Sequence, residues 1–170
     1  MGYAATQENL GTVYRKLSTG DRAVKVRKAI LCYREALQVY TQELFPLKNA
    51  GVHNNLGNAY VTLPCSNSSS LRRNIRRALR HYERALRLRT KGSFPGDYAV
   101  TQFNRGSAFL RLAQEERHPQ RSLQNARACF GEAGDCFAQC GQAARAQAAR
   151  EQANLVSSSL LSAQAREAKG

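Results

Sequence analysis

Tyr3-Ala4-Ala5-Thr6-Gln7-Glu8-Asn9-Leu10-Gly11 returns 95 positions later as Tyr98-Ala99-Val100-Thr101-Gln102-Phe103-Asn104-Arg105-Gly106, with six of the nine residues identical. Between the two, Asn55-Leu56-Gly57-Asn58-Ala59-Tyr60 matches Asn9-Leu10-Gly11-Thr12-Val13-Tyr14, and Asn104-Arg105-Gly106-Ser107-Ala108-Phe109 is the third copy. The steps from Asn9 to Asn55 and from Asn55 to Asn104 are 46 and 49 residues. A second motif keeps the same step: Ala29-Ile30, Tyr33 and Ala36-Leu37 recur as Ala78-Leu79, Tyr82 and Ala85-Leu86, then more weakly as Ala126, Phe130 and Ala133. A fixed period of this length is the mark of units that cannot bury an apolar face alone and stack on neighbours to do so.

Both motifs have helical spacing. Val26, Ala29, Ile30, Tyr33, Ala36, Leu37 and Tyr40 step by three and four residues, which lays one apolar stripe along a helix. Each unit is therefore expected to be two antiparallel helices, with Ser18 to Asp21, Pro64 to Ser70 and Glu115 to Pro119 as the turns between them. Pro46 and Pro95 precede the next first helix and are expected to stop the helix before them. Gly11, Gly57 and Gly106 cost about 1 kcal/mol each against Ala in helix propensity. Close approach of the paired helix explains them, with Ala29, Ala36, Ala78 and Ala85 expected to fill the gap.

Leu-Gly-x-x-Tyr, then Ala-x-x-x-Tyr-x-x-Ala, then Pro resembles the tetratricopeptide repeat, whose usual period is about 34 residues. The longer units here are similar to the arrays of kinesin light chains, and closer to those of bacterial proteins that couple such repeats to caspase-like CHAT protease domains. The resemblance covers residues 3 to about 138. It implies an all-α superhelical solenoid of three helix pairs, about 3–46, 47–94 and 95–138, and no active site. Repeat three is degraded, since Arg105 replaces the core Leu and Arg127 replaces Ile30 and Leu79. Residues 142–168 read as one capping helix, with Ala146, Ala149, Ala153, Val156, Leu160 and Ala163 on its stripe. Met1-Gly2 stands where Phe94-Pro95-Gly96 precedes the third copy, which suggests a fragment of a longer array.

Composition narrows the function classes. A hydrophobic fraction of 42% with only 4 Pro suits a packed body rather than a disordered chain. No apolar run nears the roughly 18 residues of a spanning helix, and the N-terminus lacks the order of a secretory signal. The expectation is a cytoplasmic protein without membrane contact. Cys32, Cys65, Cys129, Cys136 and Cys140 form an odd set with no Cys-x-x-Cys pair, so neither a disulfide framework nor a ribbon-type zinc site is indicated. Cys129, Cys136 and Cys140 are instead expected to pack as small apolar side chains on one helical face. His53, His81 and His118 share no spacing, and no nucleophile elbow, phosphate loop or paired-His helix is present. The chain thus reads as non-enzymatic, with no cofactor and no metal. His53 reads as a groove contact or an ordinary surface residue.

Two groups of residues are candidates for binding. First helices of stacked pairs line the concave side, so Asn9, Asn55 and Asn104, with Thr12, Asn58 and Ser107 one turn on and Asn54 alongside, form a row facing a common groove. An amide both donates and accepts, so such a row can pair with the backbone of an extended peptide. Asparagine ladders of this kind occur in arrays similar to this one, that of the O-GlcNAc transferase among them. The same residues would equally serve to fix repeat geometry. The second group is on the second helix of repeat two, where Arg73, Arg76, Arg77, Arg80, Arg84 and Arg87 accompany a single acid, Glu83. With a net charge of +14, this helix is either a solvated face or an anion-binding patch for an acidic protein, with nucleic acid as the alternative. A third reading makes the chain the accessory domain of a caspase-like protease, whose catalytic residues would lie elsewhere.

Overall fold

A computed structural model describes the backbone of residues 2–167 and the side chains of residues 2–162. Ala163 and Ala168 of the expected capping helix therefore fall outside the described side chains. The described residues contain no strand and form seven helices: α1 (Gly2–Lys16), α2 (Arg22–Val39), α3 (Pro46–Thr62), α4 (Ser68–Leu88), α5 (Pro95–Ala113), α6 (Gln120–Gln139) and α7 (Ala143–Glu167). The chain divides between Leu88 and Arg89 into two compact units. None of the described helices is long and apolar enough to cross a membrane.

The first unit holds α1 to α4. Helices α1 and α2 pair, α3 and α4 pair, and α2 also packs on α3. Val26, Ala29, Tyr33 and Ala36 of α2, Ala50, Val52, Leu56 and Ala59 of α3, and Ile75, Ala78, Tyr82 and Ala85 of α4 are buried. Burial of each large side chain among them contributes about 1.5 to 3 kcal/mol. Leu56 is 1% exposed, whereas its counterpart Leu10 on α1 is 38% exposed. Helix α3 packs on both α2 and α4, whereas α1 packs mainly on α2.

The second unit holds α5 to α7, with α6 packed on both others. Ala99, Ala133, Cys136, Phe137, Ala146 and Ala149 form one core cluster, and Ala113, Leu123, Ala126, Phe130, Val156 and Leu160 another. The stripe expected on the last helix is thus inward-facing as far as Leu160. Between α6 and α7 the chain reverses through Gly141, whose φ of +71° suits a residue without Cβ. There Gln142 N–H donates to Phe137 O at 2.8 Å and Gly141 N–H to Ala138 O at 3.0 Å, the two bonds that close a helix C-terminus.

Three local expectations need correction. Pro46 and Pro95 open α3 and α5 rather than stop α2 and α4. A first-turn N–H has no partner within its own helix, so proline loses nothing there and its fixed φ suits the helix. The stop comes earlier, in a repeated linker: Thr41 and Thr90 hydroxyls accept from Leu44 and Ser93 N–H, and Phe45 and Phe94 N–H donate to Thr41 and Thr90 carbonyls. The turn expected over Pro64 to Ser70 is also shorter, because α4 begins at Ser68 while Asn67 Oδ1 accepts from Ser70 N–H at 2.8 Å.

The third correction concerns the glycines. An aromatic ring fills each gap, and Ala29, Ala36, Ala78 and Ala85 are buried without being the nearest groups to the glycines. A Cβ on Gly57 would lie 2.4 Å from Tyr82 Cε1, one on Gly11 2.8 Å from Tyr33 Cε1, and one on Gly106 3.0 Å from Phe130 Cδ1. Thr12 Oγ1 is 3.1 Å from Tyr33 OH, and Tyr82 OH donates to Asn58 Oδ1 at 2.8 Å.

Tyr82 is only 1% exposed, so its ring has no room to withdraw from an added methyl. Gly57→Ala is expected to lower stability by about 2 kcal/mol despite the better helix propensity of Ala. Gly11→Ala should cost less and Gly106→Ala least. Urea unfolding of the three variants checks the order, and equal costs would show that ring contact does not set it.

Candidate functional site

The asparagine row separates into groups with different surroundings. In the first unit Asn9 is exposed, Asn54 is buried, and the half-buried Asn55 donates from Nδ2 to Glu8 Oε1 at 3.4 Å. Thr12 donates to Glu8 O at 3.0 Å and meets Tyr33 OH, while Asn58 accepts from Tyr82 OH. These two side chains therefore anchor the aromatic rings of their own helix pairs. In the second unit Ser107 Oγ donates to Phe103 O at 3.1 Å. Asn104 stands with Val100, Phe103, Phe137, Arg145 and Ala148 around a cleft of about 240 Å³, where the Arg145 guanidinium lies 5.8 Å from the Phe137 ring centre. Such a cleft offers an apolar seat, an amide and a cation together.

The arginines of α4 form more than one surface. Arg73, Arg76, Arg77 and Arg80, with Arg72 and Ser69, line an open depression of about 590 Å³. Arg84 and Arg87 instead line a pocket of about 240 Å³ with Gln42, Asn49 and His53. A helix of 21 residues is about 30 Å long, so its ends meet different neighbours. Arg77 lies 5.8 Å from the Tyr60 ring centre. Among the described residues, none of Arg76, Arg77, Arg80, Arg84 and Arg87 has a carboxylate within ion-pair distance.

His53 is not an open surface residue; it lines the pocket with Arg84 and Arg87. It is 8% exposed, and its Nδ1 lies 3.1 Å from Nδ1 of His81 on α4. Such a contact needs one ring to donate and the other to accept, so at least one imidazole is neutral. His81 stacks on Tyr60 with ring centres 5.5 Å apart, and Arg34 Nη2 donates to Tyr60 OH at 2.9 Å. Burial, then the charge of Arg84, lowers the pKa of His53 to about 4. Burial likewise lowers His81 to about 4, followed by the charges of His53, Arg84, Arg34 and Arg80. This pair carries no spacing signal because the two rings come from different helices, 28 positions apart.

No three His, Cys, Asp or Glu side chains gather as metal ligands would among the described residues. All five cysteines are free, with Cys32, Cys129 and Cys136 buried. Burial pushes the Cys129 thiol up to about 11, which leaves it protonated and unreactive at neutral pH.

Both imidazoles bind protons less readily folded than unfolded. Between pH 6.5 and about 4 the unfolded chain takes up protons that the folded chain refuses, so stability falls as pH drops through that window. For His53 alone the loss is on the order of 3 kcal/mol. His53→Gln with His81→Cys, the residues of the first pair at these positions, should flatten the slope of unfolding free energy against pH between 4 and 6.5. An unchanged slope would mean that the histidines are not held neutral.

Comparison with protein-family models and with curated proteins finds no match for this chain.

Proposed function

We propose that this chain is a non-enzymatic binding scaffold of the tetratricopeptide kind, whose three helix pairs and last helix stack as a solenoid and whose first helices hold a peptide segment or an acidic protein partner. The observation that carries the reading is the cleft beside Asn104. Val100, Phe103 and Phe137 give it an apolar floor, Asn104 an amide for a peptide backbone, and Arg145 a charge suited to an acidic side chain. The repeated packing of aromatic ring on glycine supports one architecture for all three pairs. Asn9 and Asn55 stand at the equivalent positions of the other first helices.

A second reading has its own observation. The depression lined by Arg72, Arg73, Arg76, Arg77 and Arg80 is wide and basic, as a nucleic-acid backbone requires. Exposed stacking aromatics do not accompany it in the lining, which favours the peptide reading.

Fluorescence anisotropy with a library of labelled acidic peptides separates these readings. Asn9→Ala, Asn55→Ala and Asn104→Ala together are expected to weaken peptide binding at least tenfold while circular dichroism stays unchanged. Arg76→Ala with Arg80→Ala should leave it within threefold. Tight, sequence-blind RNA binding that persists near physiological salt and is lost in the arginine variant would favour the second reading instead.

A further inference from the structure

The three helix pairs share one template, and one departure of the middle pair from it falls on residues that lie together. The rings Tyr33, Tyr82 and Phe130 and the glycines Gly11, Gly57 and Gly106 fix the alignment. Two residues after each ring stand Glu35, Arg84 and Glu132, and one residue before it Cys32, His81 and Cys129. Four residues before each glycine stand Gln7, His53 and Gln102, and eight before it Tyr3, Asn49 and Tyr98.

In the outer pairs this patch contains its own anion. Glu132 Oε2 accepts from Tyr98 OH and, at 2.6 Å, from Gln102 Nε2. Glu35 Oε2 accepts from Tyr3 OH at 3.4 Å. In the middle pair the carboxylate is replaced by the guanidinium of Arg84, and Arg87 stands where Gln38 and Asp135 stand in the others. The result is the pocket of about 240 Å³ lined by Gln42, Asn49, His53, Arg84 and Arg87. Among the described residues neither arginine has a carboxylate within ion-pair distance. Asn49 Nδ2 donates to Tyr40 O at 2.7 Å and His53 is held by His81, so the inner wall is fixed by buried polar contacts.

We propose that this pocket binds a phosphate-class oxyanion, held by the guanidinium groups of Arg84 and Arg87 with the His53 imidazole as its inner wall. Two guanidiniums match a tetrahedral dianion, because each presents a planar fork of N–H donors to a pair of oxygens. Free phosphate and a phosphate monoester carried on a partner present the same chemistry to this pocket. His53 faces His81 and Arg84, and His81 also faces Arg84, Arg34 and Arg80; burial first, and then these arginines, keep the rings neutral when the pocket is empty. A bound dianion opposes the field of Arg84, so binding draws protons onto the imidazole pair. The site is independent of whether a peptide lies along the first helices.

Titration of the full chain with sodium phosphate at constant ionic strength, followed by calorimetry and by histidine side-chain NMR, tests the proposal. Phosphate is expected to bind saturably, to shift the ring signals of His53 and His81 but not His118, and to do so at least tenfold more tightly than acetate. Arg84→Glu, which restores the residue of the outer pairs, should weaken binding at least tenfold, and so should Arg87→Gln, an exposed change that leaves the core intact. Arg72→Ala with Arg76→Ala should leave it within twofold. Tighter binding of a phosphoserine peptide than of inorganic phosphate identifies a modified partner as the source; equal binding identifies the free ion. Absence of saturable binding, equal affinity for acetate, or equal loss in the Arg72 and Arg76 variant would overturn the assignment.

Discussion

In each helix pair an aromatic ring sits against a glycine, and this contact sets how closely the two helices approach. Tyr33, Tyr82 and Phe130 occupy the space a Cβ would take at Gly11, Gly57 and Gly106. Two consequences follow from dense packing. The apolar stripes come near enough to bury small residues such as Ala29, Ala59 and Ala78 completely. The phenol hydroxyls of Tyr33 and Tyr82, held inside the pair, need polar partners, and Thr12 and Asn58 supply them. Burial also pushes the Tyr82 phenol above its ordinary pKa, as expected for a ring enclosed by its neighbours.

Much of the helical architecture was legible because it is written in period and spacing. The recurrence of Asn and Gly two residues apart located three first helices, and the stripe from Val26 to Tyr40 located a second helix and its buried face. What filled the glycine notch was not legible, since Ala and Tyr lie on the same stripe and only their reach toward the facing helix tells them apart. Pro46 and Pro95 were visible, but whether a proline ends one helix or opens the next depends on the linker before it. The Thr41 to Pro46 and Thr90 to Pro95 linkers do repeat, and that recurrence was the available signal.

The candidate sites were less legible than the fold. A row of like residues on successive helices reads as one surface, yet Thr12 and Asn58 turn toward tyrosines while Asn104 borders an apolar cleft. The arginines of α4 likewise form a run in sequence and separate surfaces in space. His53 and His81 carry no signal in their own neighbourhoods. Their signal lies in comparison between repeats: Gln, Cys and Glu in the outer pairs give way together to His, His and Arg in the middle one. Divergence at one position is common in repeats, but joint replacement at positions that touch points to a changed local chemistry.

The dependence of helix spacing on the ring against the glycine is tested most directly by a double-mutant cycle of Gly57→Ala with Tyr82→Leu, read by urea unfolding. If the ring occupies the notch, Gly57→Ala destabilises the chain when Tyr82 is present and becomes neutral or stabilising when Leu replaces it, a coupling on the order of 2 kcal/mol. An equal cost for Gly57→Ala in both backgrounds would contradict the account.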